Sequence, residues 1–159
     1  MSKLFDLKNK NVLLTGASKG MGLAMAQGLV SHGANVVISS RKLDQCEEAA
    51  ETINESIDQE KAFAFACNAS SKDDLNALVE FSLSKLGSIT TLVCNAGVNS
   101  FFGSMSEIDD ESYDKTMNTN VKSNHWLINM VLPSMKESGG GSIMITSSIA
   151  AFHLSLIHI

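Results

Sequence analysis

Asn11-Val12-Leu13-Leu14-Thr15-Gly16-Ala17-Ser18-Lys19-Gly20-Met21-Gly22 sets the frame for the rest of the chain. A short apolar run stops at a glycine turn. Leu23, Met25, Ala26, Leu29 and Val30 then recur with helical spacing. This is a buried strand feeding a helix through a loop almost without side chains. Such a loop gathers free backbone N–H groups at the positive end of a helix dipole, which suits a phosphate. Gly16 is expected to permit the turn, Gly20 to let backbone approach a diphosphate, and Gly22 to let the helix pack closely. A plain strand–helix turn that needs small residues is the alternative.

Strand and helix alternate outward from this turn. Strands are expected at Asn11–Thr15, Asn35–Ser40 and residues 61–67, 89–94 and 142–146. Helices are expected over residues 21–32, over Leu43–Ile57, from a Ser70 N-cap to Gly87, and from an Asp109 cap to Gly139. The last helix carries a stripe of Met117, Val121, Ile128, Val131 and Met135, with a break near Pro133. Alternation of this kind calls for a doubly wound parallel sheet with helices on both faces, because parallel strands need crossover helices. The order 3-2-1-4-5 follows, with a crevice between strands 1 and 4 beside the glycine turn.

The chain has 159 residues, 44% hydrophobic and 18% charged, enough for one domain with a sizeable core. A net charge of −5 argues against nucleic acid or an anionic membrane surface as partner. No apolar run is long enough to span a bilayer, and the first ten residues do not read as a secretory signal. Cys46, Cys67 and Cys94 form no CxxC pair and no metal cluster, so reduced thiols, a cytoplasmic location and no metal are expected.

Four motifs, in order, resemble those of the short-chain dehydrogenase/reductase family, in its compact single-domain branch. Thr15-Gly16-x-x-x-Gly20-x-Gly22 resembles the cofactor fingerprint. Asn95-Ala96-Gly97 resembles the family's Asn-Asn-Ala-Gly, with Cys94 in place of the first Asn. Asn120-Val121-Lys122 resembles the segment with the relay Asn. The stretch from Gly141-Ser142-Ile143 to Ser147-Ser148 resembles the strand that ends in the catalytic Ser. The resemblance runs from Leu7 to about Phe152 and implies a Rossmann-type fold, a nicotinamide cofactor and hydride transfer with a small alcohol or carbonyl substrate. It implies cofactor contacts from Gly16, Ser18, Lys19, Gly20, Met21 and Gly22, and from Asn95, Ala96 and Gly97.

NAD-preferring relatives carry Asp where this chain has Ser40. Arg41 follows it and can grip a phosphate bidentately, and Lys19 adds a second charge. NADP(H) is therefore favoured over NAD(H). Asn68, where the family often has Asp, is expected at the adenine edge. The family's mechanism implies Ser148, or its neighbour Ser147, holding the substrate oxygen and Asn120 anchoring a water relay. The bland alternatives are a strand end and a satisfied helix kink.

The family's Tyr-x-x-x-Lys pair has no counterpart. The only tyrosine is Tyr113, and no lysine follows Lys136. Residues 1–153 thus read as the N-terminal part of such a domain, lacking the later strands and inactive as written. Leu154-Ser155-Leu156-Ile157-His158-Ile159 departs from the family's continuation and matches a reading-frame translation of a transposon-end sequencing adapter. Residues 154–159 are expected to be a non-native tail. A full-length form is expected to be a homo-oligomer through the helix bearing Met117, Val121, Trp126 and Met135, with core packing as the alternative. Competing functions are a non-catalytic nucleotide-binding module and, less favoured, a sugar-nucleotide epimerase.

Overall fold

The computed structural model describes residues 3–149. Phe152, His153 and the expected tail lie outside the described residues. Five parallel strands form one sheet: β1 (Asn11–Thr15), β2 (Asn35–Ser40), β3 (Ala62–Ala66), β4 (Thr91–Cys94) and β5 (Ser142–Ile145). Their spatial order is β3-β2-β1-β4-β5, so the deeply buried β1 is central and the order reverses between β1 and β4. The register aligns Leu14 with Ile38 on one side and Val93 on the other.

Alternation along each strand divides the core in two. Val12, Leu14, Val36 and Ile38 point to one face, where α1 (Gly20–Ser31) and α2 (Leu43–Ile57) cover them with Ala26, Val30, Ala49 and Ile53. Leu13, Val37 and Leu92 point to the other. There α3 (Lys72–Leu86) contributes Leu75 and Leu78, and α5 (Ser123–Glu137) contributes Leu127, Val131 and Met135. Each buried Val, Leu, Ile or Met side chain among them contributes roughly 1.5–3 kcal/mol against exposure.

Three helix expectations need correction. The cap of α3 is Ser71, whose Oγ accepts from the Asp74 N–H at 3.2 Å and donates to Asp74 Oδ1 at 2.7 Å. Ser70 instead closes a turn on Asn68, its N–H and Oγ both donating to Asn68 Oδ1. Pro133 does not break α5, which runs through it to Glu137. Buried Val131 and Met135 hold both sides of the proline on the sheet.

The real interruption lies earlier. A short helix α4 (Asp110–Met117), capped by Asp109 Oδ1 on the Ser112 N–H, passes into a π-turn over Asn118–Lys122 before α5 begins. One extra residue in that turn rotates the register by about 100°. Met117 and Val121 therefore leave the stripe and are 39% and 54% exposed, while Val131 and Met135 stay buried. Among the described residues no helix is long and apolar enough to cross a membrane.

Candidate functional site

The C-terminal ends of β1, β2, β3 and β4 open onto one cleft of about 730 Å³, within the size range of ligand pockets. Its walls include Gly16, Ser18 and Lys19 from the glycine turn, Ser40 and Arg41 after β2, Asn68 after β3, and Asn95, Ala96 and Gly97 after β4. Nine of the residues singled out in the sequence thus converge on one space.

Two glycines build the entrance. At Gly16 the backbone is left-handed (φ +66°), and a Cβ there would sit 2.8 Å from the Ala96 Cα. A Cβ on Gly22 would lie 2.2 Å from the Gly16 carbonyl oxygen. Gly22 is therefore required by the turn itself, more than by packing on the sheet. Lys19 precedes α1 in extended conformation and no side chain caps the helix. The first-turn amides of Gly20, Met21 and Gly22 have no acceptor among the described residues. They are free to donate to a ligand. Gly20, Met21 and Gly22 do not line the cleft with side chains, and the Met21 side chain is exposed.

The opposite lip is locked to this turn by hydrogen bonds. Thr15 Oγ1 accepts the N–H groups of Asn95 and Ala96, each at 3.1 Å. Asn95 Nδ2 donates to the Gly16 carbonyl at 2.9 Å, and Asn95 Oδ1 accepts from Thr146 Oγ1 at 3.1 Å. The two strand ends flanking the topological reversal thus form one unit.

Four cations line the cleft: Lys19, Arg41, Lys42 and Lys115. None of their side chains is paired within the chain among the described residues, and no carboxylate lines the space. In a chain of net charge −5 this is a marked separation of sign. Lys115, on α4, together with Gln45, Cys67, Val98 and Thr119, was not identified from sequence as part of the site. These residues come together only through the tertiary fold, and Lys115 carries no motif.

Other expected residues make local contacts of their own. Ser40 Oγ contacts Cys46 Sγ of α2 at 3.1 Å. Burial raises the Cys46 thiol, and pushes Cys67 up to about 12 and Cys94 up to about 11. All three cysteines are free and buried. The Asn68 N–H donates to Asp74 Oδ2 at 3.0 Å, and this bond, with that from Ser71, holds the Asp74 carboxyl below its ordinary value. Asn120 does not line the cleft. Its Oδ1 accepts the Val98 N–H and its Nδ2 donates to the Val98 carbonyl, both at 2.8 Å. Ser148 follows β5, is exposed and lies outside the cleft lining. Tyr113 stands on α4, half exposed.

The fold, a parallel sheet in the order β3-β2-β1-β4-β5 with a cleft at its reversal, is Rossmann-type. The chain belongs to the short-chain dehydrogenase family: a family profile described as short chain dehydrogenase matches residues 10–157. It is similar to dehydrogenase/reductase SDR family member 4 of Homo sapiens, 39% identical over 153 residues, covering 96% of this chain and 54% of that protein. The Caenorhabditis elegans protein of the same name is 38% identical over 146 residues, covering 91% and 55%. The chain spans about half the length of the curated relatives it matches.

Solved structures agree on the fold. L-sorbose reductase from Gluconobacter frateurii, complexed with NADPH and L-sorbose, superposes with a TM-score of 0.90 at 29% identity, covering 97% of this chain and 59% of that one. The 3-ketoacyl-(acyl-carrier-protein) reductase from Brucella melitensis, complexed with NADH, gives 0.85 at 31% identity, covering 92% and 60%.

Proposed function

We propose that the cleft binds NADP(H) and that the chain is the nucleotide-binding part of an oxidoreductase acting on an alcohol or carbonyl substrate. The observation that carries this reading is the cleft's charge: four unpaired cations, no carboxylate, and free amides at the start of α1. A dinucleotide diphosphate meets the amides of Gly20, Met21 and Gly22. Arg41 and Lys19 meet the additional phosphate on the adenosine ribose, and Asn68 meets the adenine edge. Similar structures hold either NADPH or NADH, so the preference rests on this chain's own Ser40-Arg41. When bound, the nicotinamide supplies or accepts a hydride. Ser148 holds the substrate oxygen, and Asn120 keeps the Val98 wall in place. Three reduced, buried cysteines suit a cytoplasmic location.

The second reading is that the 159 residues bind nucleotide without turning over substrate. It is favoured by Ser148 lying exposed and outside the cleft lining, with Tyr113 standing on α4.

Titrating NADPH and NADH against the wild-type chain and Arg41→Ala tests the first reading. Losing a charge-assisted bond to the phosphate should weaken NADPH by about tenfold to a hundredfold and leave NADH unchanged. Equal effects on both nucleotides, or tighter NADH binding by wild type, would overturn the NADP preference. Consumption of NADPH with a carbonyl substrate would overturn the second reading.

A further inference from the structure

The π-turn between α4 and α5 is held by two side chains that do not touch the cleft. In a π-turn the backbone donors slip by one residue, which leaves helix carbonyls short of their usual partners. Here the Ser123 N–H reaches back to the Asn118 carbonyl. Its hydroxyl takes the Thr119 carbonyl instead, at 2.6 Å. One residue on, Asn124 Nδ2 donates to the Asn120 carbonyl at 2.8 Å. Ser123 is 1% exposed and Asn124 9% exposed, so water is a poor substitute for either donor. A carbonyl stripped of its donor there loses a bond that solvent replaces poorly.

The consequence of losing a donor falls on one side of the turn. α5 is anchored by Leu127, Val131 and Met135, all in the core, whereas α4 buries no side chain. If the turn loses its extra residue, α5 keeps its register and the segment before it rotates. That segment carries Lys115, Thr119 and Asn120. Lys115 and Thr119 line the cleft directly. Asn120 clamps Val98, another lining residue, through two bonds of 2.8 Å. A short chain of contacts thus runs from the Asn124 amide to the cleft wall.

We propose that Asn124, supported by Ser123, is a positioning residue for the nucleotide cleft: its amide donor holds the π-turn open and so keeps Asn120 clamped on Val98. The cleft's identity as a dinucleotide site is taken from the preceding section. The clamp on Val98 does not depend on it.

The test compares Asn124→Val with Asn124→Thr in the full 159-residue chain. The two side chains have the same shape. Only threonine offers a hydroxyl that can bond the carbonyl four residues back in a helix. Hydrogen exchange of the Val98 amide is read without nucleotide, followed by NADPH affinity. Asn124→Val should speed Val98 exchange by about tenfold while the β1 amides keep their protection, and should weaken NADPH by about fivefold or more. Asn124→Thr should restore both to within about twofold. Equal behaviour of the two variants would make Asn124 a packing residue only and overturn the proposal. Unchanged Val98 exchange in Asn124→Val would do the same.

Should Asn124→Val fail to fold, Ser123→Ala makes a milder cut in the same network. It should move both readouts in the same direction by about twofold to fivefold, and movement in neither would overturn the proposal. If wild type binds no NADPH while Asn124→Val still loosens Val98, the dinucleotide reading fails and the clamp stands.

Discussion

β1 and β5 are two apolar strands of one sheet, separated only by β4, and they live in different surroundings. Val12, Leu13 and Leu14 of β1 are sealed by α1 and α2 on one face and α3 on the other, with a paired strand at each edge. Among the described residues, Ile143, Met144 and Ile145 of β5 pair only with β4 and are 40–56% exposed. Their side chains are as apolar as those of β1. Burial in a parallel sheet is therefore conferred by neighbours, and apolar composition alone does not create it. The difference also separates the molecule's two ends of interest. The cleft is built on the closed half, where Thr15 and Asn95 lock strand ends together. Ser148 hangs from the open one.

The largest expected effect comes from cutting into the closed half. Leu14→Ala should lose about 2–5 kcal/mol in urea unfolding, through lost transfer energy and the cavity left behind. Met144→Ala should lose less than about 1 kcal/mol, as surface substitutions do. Equal losses at the two sites would break the comparison. Next comes self-association. An apolar edge strand with open N–H and C=O groups templates pairing with another chain. Met144→Lys should lower the aggregated fraction in sedimentation velocity and leave the melting temperature close to wild type. Aggregation unchanged by the lysine would place the sticky surface elsewhere.

Thiol reactivity sharpens the same contrast. Cys67 and Cys94, pushed up to about 12 and about 11 by burial, are almost wholly protonated at neutral pH. A disulfide reagent should label none of the three cysteines in the native chain and all of them in denaturant. Rapid labelling of a chain that still melts cooperatively would contradict the closed half.

The smallest effect is the response to acid. Hydrogen bonds from the Asn68 N–H and the Ser71 hydroxyl lower the Asp74 carboxyl, and the Ser112 N–H lowers that of Asp109. A lowered carboxyl contributes fully above its ordinary unfolded value. It loses that contribution as pH falls through the lowered one. The melting temperature should therefore drop as pH falls below about pH 4, and less steeply in an Asp74→Asn, Asp109→Asn double variant. Identical slopes would remove these caps from the acid response.

Much of the fold was legible because local pattern and global role coincide. The strands Asn11–Thr15 and Asn35–Ser40 and the helix Leu43–Ile57 stand where apolar period and turn residues put them. The cap at Asp109 was equally plain, with its carboxylate three residues before the amide it accepts. Ser70 and Ser71 could not be separated, since both are serines before an acidic first turn. The answer depends on Ser70 being drawn to Asn68. The π-turn left no mark in the apolar spacing, and so Met117 and Val121 were assigned to a face they do not occupy. In the cleft, Gly16 and Asn95 were legible from motifs, and Arg41 from its place just after the second strand. Lys115 and Thr119 were not, because only the tertiary fold brings α4 and the π-turn to the cleft wall.

The central claim is that free amides at the mouth of β1 and the cations around them hold a dinucleotide. Titrating NADPH into isotope-labelled chain, and following backbone amide resonances, tests it most directly. We expect saturable shifts at Gly16, at residues 18–22 and at residues 95–98, with little change in Ile143, Met144 and Ile145. A folded chain whose glycine-turn amides do not respond, or whose response is confined to the β5 edge, would contradict it.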